Sequence, residues 1–174
     1  MKRLIGPLAL SVILGIASHF AILNYAPSVI MDRAYTMLGE RGTAVHAFNL
    51  APRMTPQTQS VVRPSPDLAY SACRFDLSEA PNGVRVKMGS YDGYSSLSFF
   101  DAQTNNFRTI RGNGEARETR LLPANSAENG AENGADVTRA PSQKGIILIR
   151  RLAPSDAEYA KVAEASAGDL CEAI

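Results

Sequence analysis

The sequence predicts a mainly β protein: an antiparallel β-sandwich or open barrel with a C-terminal helix packed on it, preceded by one N-terminal transmembrane helix. Three observations carry this. Short runs after residue 61 alternate apolar and polar side chains with the period of strands buried on one face. Gly, Asn and Asp punctuate those runs at the spacing of tight turns. Finally, Leu4 to Leu23 reads LIGPLALSVILGIASHFAIL, twenty positions without a formally charged side chain.

At ~1.5 Å per residue, a helix of that length covers the ~30 Å hydrocarbon core of a bilayer. Pro7 costs little so near a helix start. Two fates compete for the segment. A cleaved signal peptide would use the small pair Gly15 and Ala17 and be cut after Ala17. A retained anchor is favoured, because the apolar run continues through Phe20, Ala21, Ile22 and Leu23 and closes on Asn24 and Tyr25; tyrosine suits the headgroup level. Lys2 and Arg3 abut the run, whereas the next basic residue is Arg33. The positive-inside rule then sets a cytoplasmic N-terminus under either fate. Residues 26–174 are expected outside the inner membrane, in the periplasm of a Gram-negative cell.

The chain divides into an anchor (1–25), a juxtamembrane helix and linker (26–60) and a β-rich domain (61–174). About 150 residues beyond the anchor suffice for one domain with a real core. Net charge is +1 with no basic block, which disfavours nucleic acid as a partner. The two cysteines, Cys73 and Cys171, lie far apart without a CxxC pattern. In an oxidising compartment they are expected to form one disulfide that ties the C-terminus to a central strand; the alternative is two separate small apolar side chains.

Along the chain, Ile30, Ala34, Met37 and Leu38 have helical spacing that stops at Gly39, predicting a short helix over Ser28–Leu38. Ala51 to Pro66 holds four prolines and reads as an extended linker. In Leu68–Leu77, one face carries Ala69, Ser71, Cys73, Phe75 and Leu77, and the other Leu68, Tyr70, Ala72, Arg74 and Asp76. Val84, Val86 and Met88 alternate with Arg85 and Lys87, and strands follow over Tyr94–Phe100 and Phe107–Arg111. Gly145–Leu152 is apolar without alternation over Ile146–Ile149, as in a strand covered on both faces. The segment NSAENGAENGAD lacks the spacing of an EF-hand and is expected to be a solvated hairpin loop. Ser155-Asp156-Ala157-Glu158 forms a capping box. The helix behind it, ending at Gly168, presents Tyr159, Val162, Ala163 and Ser166 on one face.

Catalytic signatures are missing: there is no GxSxG elbow, P-loop, HExxH or dinucleotide fingerprint. His46 is the sole imidazole outside the apolar run, so a histidine-based zinc site is excluded and no metal or cofactor is expected. A structural role for His46 outweighs a catalytic one. A polar set remains around the strands: Arg63, Asp67, Tyr70, Asp76, Tyr94, Asp101, Asn105 and Asn106. If the turns bearing these residues converge, carboxylates, a phenol and a guanidinium share one rim. Turn capping by Asp and Asn is the favoured reading of the same residues.

The blocks RPSPDLAYSACRFDLSEAP, the Tyr94 strand, FFDAQTNNF and GIILIRRLAPSDAEYAKV together resemble the bacterial family of domain of unknown function 1254, over roughly residues 45 to 170. In that pattern Asp67 and Tyr70 match the family's Asp and Tyr, Asp76-Leu77 a strand end, Tyr94 a strand tyrosine, and Asp101, Ala102 and Asn105 a turn. Ser65 and Leu68 depart from the family's Asn and Thr, so a site built on that amide and hydroxyl is not carried over. The resemblance implies an exported or membrane-associated β-rich domain, with the sister 1214-type family as a partner, and no established reaction.

The functional expectation is an inner-membrane-anchored envelope module that binds a ligand or a partner, with Arg63, Tyr94 and Asn105 as ligand-binding candidates. The alternative is a hydrolase or lyase on a polar envelope metabolite. In it, Asp67 or Asp101 acts as general base and Tyr70 as acid, while Arg63 holds an anionic group.

Overall fold

The computed structural model describes residues 2–55, 64–126 and 136–174. A single helix, α1 (Lys2–Glu40), leads into two sheets. The first sheet has the order β1 (Phe48–Leu50), β2 (Leu68–Asp76), β8 (Lys144–Leu152), β4 (Ser95–Phe100), β5 (Asn106–Arg111). The second has the order β7 (Val137–Ala140), β6 (Arg117–Pro123), β3 (Val84–Met88), β9 (Leu170–Ala173). Helix α2 (Asp156–Ser166) lies between β8 and β9 in sequence.

The sheets stack because the period-two faces point at one another. Cys73, Phe75, Leu97, Phe99, Ile147 and Ile149 of the first sheet meet Val84, Val86, Met88, Leu121 and Cys171 of the second in one core. The core-facing residues of β2 and β8 pair in register, Cys73 with Ile147 and Ser71 with Ile149. On the second sheet, Arg85 faces outward and pairs with Glu118 and Glu172. Cys73 of β2 and Cys171 of β9 are disulfide-bonded across the core, with Cα atoms 6.6 Å apart.

Helix α1 is long and apolar enough to cross a membrane. The separate helix expected over Ser28–Leu38 is instead its continuation. Pro27 removes only one backbone donor, and Asn24 bonds back to the Phe20 carbonyl at 2.7 Å rather than ending the helix. The turns beyond Pro27 are held by packing: Met31 is buried against the domain.

Other differences follow from long-range pairing. Phe48–Leu50, ahead of the expected linker, forms an edge strand on β2. Of that linker, 51–55 and 64–66 contain no helix or strand, and the rest lies outside the described residues. β6 and β7 pair in parallel, so the strands flanking the Ala-Glu-Asn-Gly repeat are not a hairpin, since two parallel strands need a crossover; residues 127–135 of that connection lie outside the described residues. Strand β9, without a sequence signal of its own, is recruited as an edge by β3.

Ser155 caps α2 as expected, but the Glu158 side chain turns to the Ser155 hydroxyl rather than to its backbone amide, so only one half of the capping box forms. Ser155 Oγ accepts from the Glu158 amide at 3.3 Å and donates to the Glu158 carboxylate at 2.9 Å. Val162 then packs on Ala69 and Ala153, with Tyr159 beside them. Ala163, expected on that face, is exposed, because the contact is a narrow one at the end of the sheet.

Candidate functional site

The outward residues of β2 and β8 meet the last turns of α1. Register sets Asp76 opposite Lys144 and Arg74 opposite Ile146. The buried Asp76 carboxylate accepts from the Ser78 amide at 3.0 Å, the Ser78 hydroxyl at 2.5 Å and Lys144 Nζ at 2.9 Å. Burial pushes its pKa up, but the hydrogen bonds from Ser78 and Lys144 outweigh burial and hold it below the ordinary carboxylate value. The same carboxylate raises Lys144, chiefly through the hydrogen bond. His46 sits at the edge of β2 with Nε2 3.1 Å from the Asp76 amide, from which it accepts.

Arg74 joins helix to sheet. Its Nε donates to the Thr43 carbonyl at 2.9 Å and its Nη1 to the Tyr35 carbonyl at 3.5 Å, and its guanidinium lies 4.9 Å from the Tyr35 ring centre. The approach needs Gly39, because a Cβ there would collide with the guanidinium. Between α1 and the sheet a cavity of about 540 Å³ remains, with Met31, Asp32, Tyr35 and Thr36 on the helix side and Arg74 and Lys144 on the sheet side. Such a cavity is the size of small-molecule sites. Its chemistry is one of binding: two cations, a carboxylate and an aromatic ring, with no nucleophile–base pair. Among the described residues no group of three or more His, Cys, Asp or Glu could hold a metal.

The residues singled out from sequence fall into two groups. At one end of the first sheet lie Asp67, Tyr70 and Tyr94. The Asp67 carbonyl accepts from the Ala153 amide at 2.7 Å, and the Tyr94 carbonyl from the Leu152 amide at 2.9 Å. The Tyr70 hydroxyl accepts from the Ser65 amide at 2.9 Å. Asp101 and Asn105 lie at the other end. There the Asp101 carboxylate accepts from the Gln103 and Asn105 amides at 2.8 Å each and from Asn105 Nδ2 at 2.9 Å.

Leu68 is opposite Leu152 and Phe100 opposite Ile146. Six residue steps along β8 therefore separate the Asp67 end from the Asp101 end, about 20 Å at ~3.3 Å per step. The shared rim on which acid–base work by Asp67, Asp101 and Tyr70 depends does not form. Arg63 lies outside the described residues. The Asn106 side chain bonds Thr109 of its own strand.

Two constellations escaped the sequence reading. One is the Arg74–Tyr35 junction, which no local pattern announces. The other is a buried ion pair. Arg151 Nη1 and Nη2 grip the Asp169 carboxylate at 2.8 and 2.6 Å, with each side chain 1% exposed. Asp169 also accepts from the Gly89 amide at 2.9 Å. Parity held the clue to this pair, since Arg151 falls on the inward face with Ile147 and Ile149.

Comparison with known proteins gives fold and family. The crystal structure of the VPA0106 protein from Vibrio parahaemolyticus superposes with a TM-score of 0.67 at 13% identity, covering 88% of this chain and 36% of that one. An uncharacterised protein from Burkholderia cenocepacia aligns at a TM-score of 0.45 and 13% identity, covering 81% of this chain and 38% of that one. The chain thus spans little more than a third of either. No curated protein matches the sequence. The model of the family described as "Protein of unknown function (DUF1254)" matches residues 45–172, and the chain belongs to that family.

Proposed function

We propose that this chain is an inner-membrane-anchored envelope protein whose β-sandwich faces the periplasm and works as a ligand-binding or interaction module. The observation behind this reading is the continuity of α1. One helix carries the apolar run and then, without a break, the turns that form one wall of the cavity over the sheet. An anchor so joined presents the domain in a defined orientation, which suits recognition at the membrane surface. The Cys73–Cys171 bond is in keeping with an oxidising compartment, and Lys2 and Arg3 ahead of the run favour the same topology. A second envelope protein, of the sister 1214-type family, is the proposed macromolecular partner.

Topology and partnership are tested together in intact spheroplasts. A cysteine introduced at the exposed Ser90 is expected to react with a membrane-impermeant maleimide from outside, while the protein resists carbonate extraction. Labelling only after lysis, or release by carbonate, overturns the reading. Cross-linking before solubilisation is expected to capture the sister-family protein; capture of α1-deleted and full-length chains to the same extent would show that the anchor plays no part in the partnership.

A further inference from the structure

We propose that the cavity between α1 and the first sheet holds the headgroup of a zwitterionic phospholipid, with its phosphate on Lys144 and Arg74 and its primary ammonium on Asp32. The proposal rests on the anchored reading above and names the ligand class of that same cavity.

Depth is the first argument. From Leu4 to Met31 no residue carries a formal charge, a run of 28 positions. As a helix this measures about 42 Å, against ~40–45 Å for a bilayer including its headgroups. Val29 and Ile30, at the far end of the run, are 66% and 61% exposed, as apolar side chains in the interfacial layer would be. Asp32 is the first charge after that layer, and the cavity wall runs from Ser28 to Thr36 on either side of it. The cavity therefore sits at the level of the outer-leaflet headgroups.

Unused bonding capacity is the second. Lys144 has three donors and spends one on Asp76, with its side chain 59% exposed. Arg74 commits Nε and Nη1 to carbonyls, and among the described residues Nη2 donates to nothing. Asp32 is exposed and, among the described residues, has neither a hydrogen bond nor an ion pair. It lines the same cavity as two cations without neutralising either.

Charge pattern decides the class of lipid. Two cations alone would suit any phosphate, but a free carboxylate beside them repels a purely anionic headgroup. That carboxylate complements a phosphodiester carrying an ammonium two carbons away. Met31, on the membrane side of Asp32, supplies an apolar wall where the glycerol and first acyl carbons of such a lipid would lie.

The full-length protein, delipidated in neutral detergent and offered equimolar phosphatidylethanolamine and phosphatidylglycerol, is examined by native mass spectrometry. One retained phosphatidylethanolamine is expected, preferred about fivefold, the upper end of what one partly exposed ion pair supplies. Asp32→Asn, which has no internal partner to lose, is expected to bring the ratio near one while lipid is still retained. Lys144→Gln should lower retention of both lipids, and its melting temperature shows whether the fold survives the loss of the Asp76 contact. Equal retention of the two lipids by the unaltered protein, or an unchanged ratio in Asp32→Asn, overturns the proposal. Displacement of the lipid by millimolar phosphoethanolamine also overturns it, in favour of a soluble ligand. A protein that resists carbonate extraction yet shows no preference sinks this inference alone; release by carbonate sinks the anchored reading with it.

Discussion

Arg151 and Asp169 show what a single inward charge demands. Two ions out of water are stable only when their geometry and remaining hydrogen bonds are nearly complete. Here a bidentate contact and the Gly89 amide and carbonyl supply most of the need. Removing one partner strands the other, so Asp169→Asn is expected to cost about 3–5 kcal/mol, a large share of the ~5–15 kcal/mol that holds a domain together. Chemical denaturation of the full-length protein in detergent measures it; a loss below ~1 kcal/mol would mean that Arg151 finds water. Asp76 gives a pH signature. Its folded pKa lies below the ordinary 3.8, so the folded state takes up its proton less readily than the unfolded one. The resulting stability is present above about pH 4 and is lost as pH falls through the folded value. The melting temperature should therefore drop on acidification below pH ~4, and the gap between the parent and Asp76→Asn should close over the same range. A gap that stays constant to pH ~2 contradicts this.

Among the elements, β9 depends most on a covalent tie. It is a four-residue edge strand paired to β3 alone, and it follows a helix that contributes one fully buried side chain. The disulfide closes a loop with a sequence separation of 98, for which the chain-entropy account gives a ceiling of about 4.7 kcal/mol. Cys171→Ser is expected to lower stability by about 2–4 kcal/mol and to raise hydrogen exchange first in Leu170–Ala173. Loss of protection first in β2 instead would place the weak point elsewhere. The strands themselves were largely legible. β2 shows its buried face in the alternation Ala69, Ser71, Cys73, Phe75, and the strands over Val84–Met88 and Ser95–Phe100 do the same. β1, β7 and β9 were not, because three- or four-residue edges take their conformation from a neighbour's unpaired amides rather than from their own side chains. Nor was β6, because Arg117, Glu118, Thr119 and Arg120 give its first four positions no apolar alternation.

For the molecule as a whole, the junction between α1 and the sandwich decides whether anchor and domain move together. Arg74 is a polar link, reaching the Thr43 and Tyr35 carbonyls from the outer face of the sheet near the end of β2. Arg74→Ala is expected to increase hydrogen exchange in residues 28–40 while the core strands keep theirs. A change spread evenly over both sheets would show that Arg74 supports the fold rather than the junction. Separation of Asp67 from Asp101 belongs to the same scale. Both sit at strand ends, but β2 and β4 run in the same direction on either side of β8, so the start of one and the finish of the other lie at opposite ends of the sheet.

Local chemistry alone determined the apolar run and its length, the period-two faces that build the core, the Ser155 cap of α2 and the turn role open to Asp101. Each depends on residues within a few positions of one another, where spacing and side-chain type suffice. Only the tertiary structure decided that two expected helices are one, that Cys73 and Cys171 face each other across the core, that Arg151 has Asp169, and that the carboxylates at the strand ends stay apart. Those outcomes depend on which strands become neighbours and in which direction. Strand order sums weak pairings over the whole chain, and no single segment of the sequence encodes it.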